Sequence, residues 1–211
     1  GLDDIALLLL FLFPRWRRKT AWVLWGYDLY SYRKSQKRVK QFLYELFRAF
    51  VIKRIPFIAT AITGDFELAR EVYKNTTAIY RRVFYMSSSE VSNPEKLSIF
   101  QASTAEKETC VLLGNSATET NQHIEIIKCL AHLKDERIKI FCPLSYGDRA
   151  YARRVAVDGH AVFGDKFVPL FDVMSSSRYA DFLSQMDVAI MNHDRQQGIG
   201  NIVNLLKFGK K

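Results

Sequence analysis

Apolar positions in the second half of the chain form short continuous runs that alternate with amphipathic stretches. The runs Thr109–Leu113, Arg137–Cys142, His160–Phe163 and Asp187–Met191 predict strands. Between and after them, Asn121–Leu133, Asp148–Asp158, Ser177–Gln185 and Gly200–Phe208 carry the helical period. Val168–Met174 reads either way. Strands alternating with helices imply a parallel sheet joined by crossovers, the doubly wound α/β class. No internal repeat of fixed period is evident.

The first half alternates apolar and basic pieces. Asp3–Phe13 is helix-like, and its apolar run Ile5–Phe13 predicts a buried helix ending at Pro14. A membrane span needs about 20 residues, so this run is too short to be one. It also has Asp3 and Asp4 before it and Arg15–Lys19 after it, the wrong charge order for a signal peptide. Ala21–Trp25 reads as a strand buried on both faces, and Gly26 breaks it. Tyr27-Asp28-Leu29-Tyr30 then follows as a loop. From Lys37 to Ile52 the period is helical, with Val39, Phe42, Leu43, Leu46, Phe47 and Phe50 on one stripe and Lys37, Arg38, Lys40 and Arg48 off it. Packing of the stripe on a sheet, with the charges solvated, is the favoured reading. A basic amphipathic helix on an anionic membrane is the other. Phe57–Ala61 and Arg82–Met86 predict strands, and Gly64–Tyr73 a helix.

Residues 1–86 are therefore assigned to one domain, 87–108 to a linker rich in Ser, Thr, Asn and Glu, and 109–211 to a second domain. Charge divides along the same line. Residues 1–108 hold 18 Lys and Arg against 11 Asp and Glu; residues 109–211 hold 13 against 11. A positive first half suits nucleic acid, phospholipid headgroups or a pyrophosphate-linked substrate. The three cysteines, Cys110, Cys129 and Cys142, lie in apolar stretches without metal-ligand spacing and read as reduced core residues. Asn75-Thr76-Thr77 matches a glycosylation sequon, a weak signal.

In a doubly wound domain ligands bind beyond the carboxyl ends of the strands, so the loops there carry the candidate chemistry. Gly114-Asn115-Ser116-Ala117-Thr118 can offer backbone N–H groups to a phosphate, or be an ordinary turn. Pro143–Gly147 presents Tyr146, able to stack on a base or sugar. The segment His193–Asn201 has Gly198-Ile199-Gly200 at a helix start, Arg195 as a fixed cation, and Gln196 and Gln197 as amides. A helix N-terminus with these neighbours suits a diphosphate. In the first half, Asp28 beside Trp25, Tyr27 and Tyr30 suits sugar binding or proton abstraction, or is a capped turn. No nucleophile elbow, metal-binding helix motif or P-loop occurs, and no metal site is expected.

The stretches Trp25–Tyr30 (WGYDLY), Leu112–Lys128 (LLGNSATETNQHIEIIK) and Arg195–Asn201 (RQQGIGN) together resemble glycosyltransferase family 56. These are the TDP-N-acetylfucosamine:lipid II N-acetylfucosaminyltransferases, also described as 4-alpha-L-fucosyltransferases. Tyr27 stands where the family has Ala, and Ala117 where its enteric members have Gly. The resemblance implies a GT-B architecture of two Rossmann-like domains, both expected to be incomplete in a chain truncated at both ends and inactive by itself. It implies transfer of 4-acetamido-4,6-dideoxygalactose from a TDP-linked donor to a polyprenyl-diphosphate-linked saccharide, in a synthesis like that of enterobacterial common antigen. It also implies peripheral attachment to the anionic cytoplasmic face of the bacterial inner membrane, with no nucleic acid partner.

On this reading the diphosphate is held by the N–H groups of Gly198, Ile199, Gly200 and Asn201 and of Asn115 and Ser116. Arg195, Gln196 and Gln197 accompany it, Tyr146 and His193 meet the base or sugar, and no metal is needed. Asp28 is the candidate base or acceptor-orienting group, with Trp25, Tyr27 and Tyr30 on the acceptor side. A sugar-nucleotide epimerase on the same fold and a non-enzymatic scaffold of the polysaccharide machinery are the alternatives.

Overall fold

The computed structural model describes residues 2–30, 39–83 and 108–211, without the side chains of Tyr27 and Gln41. The chain divides into two compact units. One comprises Gly1–Tyr85 with Arg195–Gln197, the other Met86–Asp194 with Gly198–Lys211. Residues 31–38 and 84–107, and with them almost all of the proposed linker, lie outside the described residues.

The first unit runs α1 (Asp4–Leu12), α2 (Pro14–Arg17), β1 (Ala21–Val23), α3 (Gly26–Tyr30), α4 (Val39–Ile52), β2 (Phe57–Thr60), α5 (Thr63–Tyr73) and β3 (Ile79–Arg82). Its three strands form a parallel sheet in the order β1-β2-β3, with Ala21 opposite Phe57 and Phe57 opposite Ile79. α1 begins where the Asp3 carboxylate accepts the Ala6 N–H at 2.8 Å, satisfying one of the free donors of the first turn. It ends at Phe13, before Pro14 opens α2.

Several sequence expectations change here. In α1 only Leu7 and Leu10 are buried; Ile5, Leu8, Phe11 and Leu12 are exposed, so the apolar run is not a buried helix. Among the described residues β1 lies at the edge of its sheet and buries alternate residues, Trp22 and then Leu24, while Val23 and Trp25 are exposed. Residues 26–30 form the short helix α3 rather than a loop. A strand is seen at Ile79–Arg82; of the predicted strand Arg82–Met86, residues 84–86 lie outside the described residues.

The largest revision concerns α4. Its stripe faces outward, with Val39 77% and Leu43 58% exposed, whereas the off-stripe Arg48 is only 3% exposed. A buried guanidinium is tolerable only when paired. Arg48 donates to the Asp28 carbonyl oxygen and approaches Glu45 at 3.5 Å. It also lies 5.8 Å from the Trp22 ring centroid and 5.5 Å from that of Tyr73. The helix therefore seats Arg48, Val51 and Ile52 on the core. Asn75 is also buried, its amide donating to the Ile52 and Ile55 carbonyls at 2.8 and 2.9 Å, so the sequon asparagine is not presented for modification.

The second unit runs β4 (Thr109–Leu113), α6 (His123–Leu130), β5 (Ile138–Pro143), α7 (Arg149–Phe163), β6 (Phe167–Leu170), α8 (Ser176–Ser184), β7 (Val188–Ile190) and α9 (Ile199–Lys207). All four strands are parallel, in the order β6-β5-β4-β7. Successive residues of β4 bury on opposite faces. Val111 and Leu113 join Ile127 of α6 and Val155 of α7, while Leu112 joins Leu183 of α8 and Leu205 of α9. This is a helix–sheet–helix sandwich, as the strand–helix alternation implied.

Here too a boundary shifts. His160–Phe163 is the last turn of α7, and the strand is Phe167–Leu170, inside the segment that read either way. Helix continuation follows from packing: a Cβ on Gly159 would lie 2.4 Å from the Phe167 ring, so the helix meets the strand closely at that glycine. Pro169 is compatible with β6 because β6 is an edge strand. Of the cysteines, Cys142 is buried and Cys110 half-buried, but Cys129 is exposed, which corrects its reading as a core residue.

Candidate functional site

The order β6-β5-β4-β7 places a topological switch beside β4. The chain leaves β4 toward β5 and β6 on one side, then returns through α8 to place β7 on the other. A crevice opens at the carboxyl ends of two strands whose connections diverge in this way. The Gly114 N–H donates to the Ile190 carbonyl at 3.0 Å and extends the β4–β7 pairing to the lip of that crevice.

The loop after β4 folds on itself around Asn121, which is 1% exposed. Its Oδ1 accepts the Asn115 backbone N–H at 3.0 Å. Its Nδ2 lies 2.9 Å from the Ser116 carbonyl, 2.8 Å from Thr118 Oγ1 and 3.3 Å from the Thr118 carbonyl. The loop after β7 reaches the same amide, since His193 Nε2 lies 3.0 Å from Asn121 Oδ1. The Asp194 N–H bonds the Thr120 carbonyl at 3.2 Å, and Asn192 Nδ2 bonds Gln122 Oε1 at 3.3 Å.

The loop after β5 is fastened on as well. The Ala117 N–H donates to the Tyr146 carbonyl and the Asp148 N–H to the Ala117 carbonyl, both at 2.8 Å. Asn115 Nδ2 donates to the Tyr146 hydroxyl at 3.0 Å. Tyr146 itself is 58% exposed, so its ring face stays open at the edge of the crevice.

Two glycines make this geometry possible. Gly114 has φ +68°, and a Cβ there would fall 2.4 Å from His123 Nε2 and 2.8 Å from Asn121 Oδ1. Gly198 has φ +65°, with His193 Cε1 at 3.1 Å and Asn115 Cγ at 3.3 Å from the same imagined atom. Both positions lie in left-handed backbone that favours glycine, and both are filled by neighbours. Gly198 is also the N-cap of α9 and, having no side chain, offers no cap to the first-turn N–H groups. Those donors and the positive end of the helix dipole face the start of α9.

Beneath the β4 loop, His123 is fully buried. Its Nδ1 lies 3.2 Å from the Tyr151 hydroxyl. Burial, with a smaller effect from His193, lowers its pKa to about 4. Burial likewise raises the Tyr151 phenol.

Asn115, Ser116, Tyr146, His193, Gly198, Ile199, Gly200 and Asn201 thus all belong to the second unit, at the carboxyl ends of its strands and the start of α9. The Asn115 backbone N–H, expected to face a phosphate, is engaged by Asn121 instead, and both Asn115 and Ser116 are buried. The Asn201 amide donates to the Tyr179 hydroxyl at 2.8 Å, and burial raises that phenol to about 12. Arg195, Gln196 and Gln197 group with the first unit. Sequence reading used Asn121 and His123 as part of the family resemblance in the stretch 112–128 but gave neither a role in the site.

In the first unit, Asp28 is half-buried in α3 and Trp25 is half exposed. The Tyr30 hydroxyl donates to Asp65 Oδ1 at 3.2 Å, and burial raises the Asp65 carboxyl above its ordinary value. Tyr30 is therefore committed to an internal hydrogen bond. The side chain of Tyr27 lies outside the described residues. Among the described residues no group of His, Cys, Asp and Glu is placed to hold a metal ion, and no helix is long and apolar enough to cross a membrane.

The model of a family described as 4-alpha-L-fucosyltransferase, glycosyl transferase group 56, matches residues 5–210. Among solved structures, the apo structure of OtsA is similar, with a TM-score of 0.53 and 10% identity. The match covers 76% of this chain and 45% of that one, so the chain spans less than half of that structure's length. At this identity the likeness concerns the fold alone, and the fold is GT-B-like.

Proposed function

We propose, for a chain that belongs to glycosyl transferase group 56, the 4-alpha-L-fucosyltransferase family, that its second unit holds the diphosphate of a nucleotide-sugar donor. The observation that supports this most is the topological switch between β4 and β7, where Gly198, at the start of α9 with no side-chain cap, packs against Asn115 and His193. First-turn N–H groups and the helix dipole favour an anion there. Arg195, three residues before Gly198 in the chain, is the side chain assigned to the diphosphate charge. His193 and the exposed ring of Tyr146 are assigned to the sugar or base.

The reaction is transfer of a fucose-type deoxy-amino sugar, 4-acetamido-4,6-dideoxygalactose, from TDP to a polyprenyl-diphosphate-linked saccharide. An acceptor hydroxyl oxygen bonds to the anomeric carbon while the bond from that carbon to the diphosphate oxygen breaks. The electron pair leaves with the diphosphate, whose growing charge meets donors already in place. The hydroxyl proton passes to a base, for which Asp28 is the candidate, and Trp25 and Tyr27 are assigned to the acceptor side. The leaving-group charge is met by N–H groups and Arg195, so turnover is expected without added divalent metal.

A lipid-borne acceptor requires the enzyme to work at a membrane. The outward stripe of α4 and the exposed Ile5, Leu8 and Leu12 of α1 support peripheral attachment to an anionic surface, the cytoplasmic face of a bacterial inner membrane. Arg15, Arg18 and Lys19, all exposed and directly after α1, supply the matching charge.

The test is to incubate the protein with the TDP-sugar, with and without the lipid-linked acceptor, and follow TDP release and glycolipid formation. TDP release coupled to glycolipid formation, and dependent on acceptor, is expected. Conversion of the nucleotide sugar without any acceptor would replace the transferase with an epimerase.

A further inference from the structure

Asn121 is almost fully buried and bonds to two separate pieces of the switch point, the loop after β4 and the loop after β7. The orientation of its amide follows from its partners. Nδ2 faces the carbonyl oxygens of Ser116 and Thr118, which can only accept. Oδ1 faces the Asn115 backbone N–H, which can only donate. A flipped amide would oppose like groups at all three contacts.

This orientation decides the state of His193. Its Nε2 lies 3.0 Å from Oδ1, an atom with no hydrogen to give, so Nε2 carries the proton. The ring is then in the Nε2–H tautomer, and any proton it gains or loses is on Nδ1. Gly198 packs against Cε1 of the same ring, so the amide that fixes the ring also sets the approach to the N-cap of α9.

We infer that Asn121 is a positioning residue for the donor diphosphate. One buried amide locks the loop after β4 to the loop after β7, and it holds His193 in a single tautomer against the start of α9. The inference rests on the donor-site reading above and adds to it a residue that does not touch the ligand. The diphosphate should sense the loss of Asn121, because it lies against the α9 N-terminus that the locked loops frame. The nucleoside should sense it much less.

The experiment measures Kd for dTDP and dTMP by calorimetry in the wild type and in Asn121→Ala, with cooperative thermal unfolding as the check on folding. In the wild type dTDP is expected to bind at least about tenfold more tightly than dTMP. In Asn121→Ala that advantage is expected to fall to within about twofold, with dTMP affinity nearly unchanged. The isosteric Asn121→Asp keeps the acceptor for Asn115 and His193 but loses both donors, and it covers the case in which the alanine variant does not fold. It should retain the Nε2–H tautomer and lose the dTDP advantage.

Independently of any variant, ¹⁵N spectra of wild-type imidazole nitrogens should show His193 as the Nε2–H tautomer at high pH. A Nδ1–H tautomer, or a folded Asn121→Ala with an undiminished dTDP advantage, would overturn the inference. No nucleotide binding by the wild type would instead overturn the donor-site reading beneath it.

Discussion

Gly200 offers a direct way to separate charge from fold at the proposed diphosphate site. It is exposed in the first turn of α9, and a Cβ there would meet no atom within 4 Å. Its φ is not in the left-handed range, so a side chain adds no backbone strain. Replacing glycine within a helix also removes a propensity penalty of about 0.5–1 kcal/mol. A carboxylate in the first turn interacts favourably with the dipole by about 0.3–1 kcal/mol. Gly200→Asp should therefore fold at least as well as the wild type.

A phosphate bonded to first-turn N–H groups would sit roughly 5 Å from that carboxylate. At an effective dielectric of about 20, each pair of unit charges then repels by about 3 kcal/mol. The site is open to solvent, and screening at physiological salt lowers this toward about 1 kcal/mol. Calorimetry should show dTDP binding weakened at least about tenfold in Gly200→Asp and nearly unchanged in Gly200→Ala. The loss should shrink as salt rises. Equal dTDP affinity in both variants, each shown to be folded, would refute placement of the diphosphate at α9.

Three further outcomes follow from the same geometry. His123 has its pKa lowered to about 4 by burial, so the unfolded chain takes up a proton that the native state does not as pH falls below about 6.5. Stability is fully present above that value and declines through pH 4, by about 3 kcal/mol, and denaturation midpoints measured across that window should lose this dependence in His123→Leu. Gly114→Ala should cost at least about 1–2 kcal/mol for left-handed backbone, with a clash against His123 besides, read as a lowered midpoint and lost nucleotide binding. Removing the buried Arg48 guanidinium in Arg48→Ala should destabilise the first unit by about 3–5 kcal/mol, because Glu45 and the Asp28 carbonyl lose their partner; a shift below about 1 kcal/mol would contradict its structural role.

Much of the second unit was legible because its strands are buried. Thr109–Leu113 and its neighbours are apolar runs broken by helical periods, and that pattern alone gives a parallel α/β sheet. The start of α9 was legible for a local reason, since glycines at a helix start mark it. What failed were features decided by distant partners. The stripe on α4 announces an apolar face but not what covers it. The Arg48 partners, the Asp28 carbonyl and the rings of Trp22 and Tyr73, come from three other elements, so sequence spacing could not show that the charged face turns inward. His160–Phe163 is apolar enough for a strand, yet Gly159 meeting Phe167 lets the helix run on. Asn121 and His123 stood in a recognised stretch, but the importance of Asn121 depends on His193, 72 residues away. No local pattern carries such a contact.

The central claim is that the switch point at the carboxyl ends of β4 and β7, with the start of α9, binds the diphosphate of a nucleotide sugar. The most direct measurement titrates dTDP, UDP and GDP into the protein by calorimetry, with and without magnesium. Expected is binding of dTDP in preference to UDP and GDP, independent of magnesium and lost on Arg195→Ala. Absence of binding by all three nucleotides, in protein shown to be folded, would contradict the assignment.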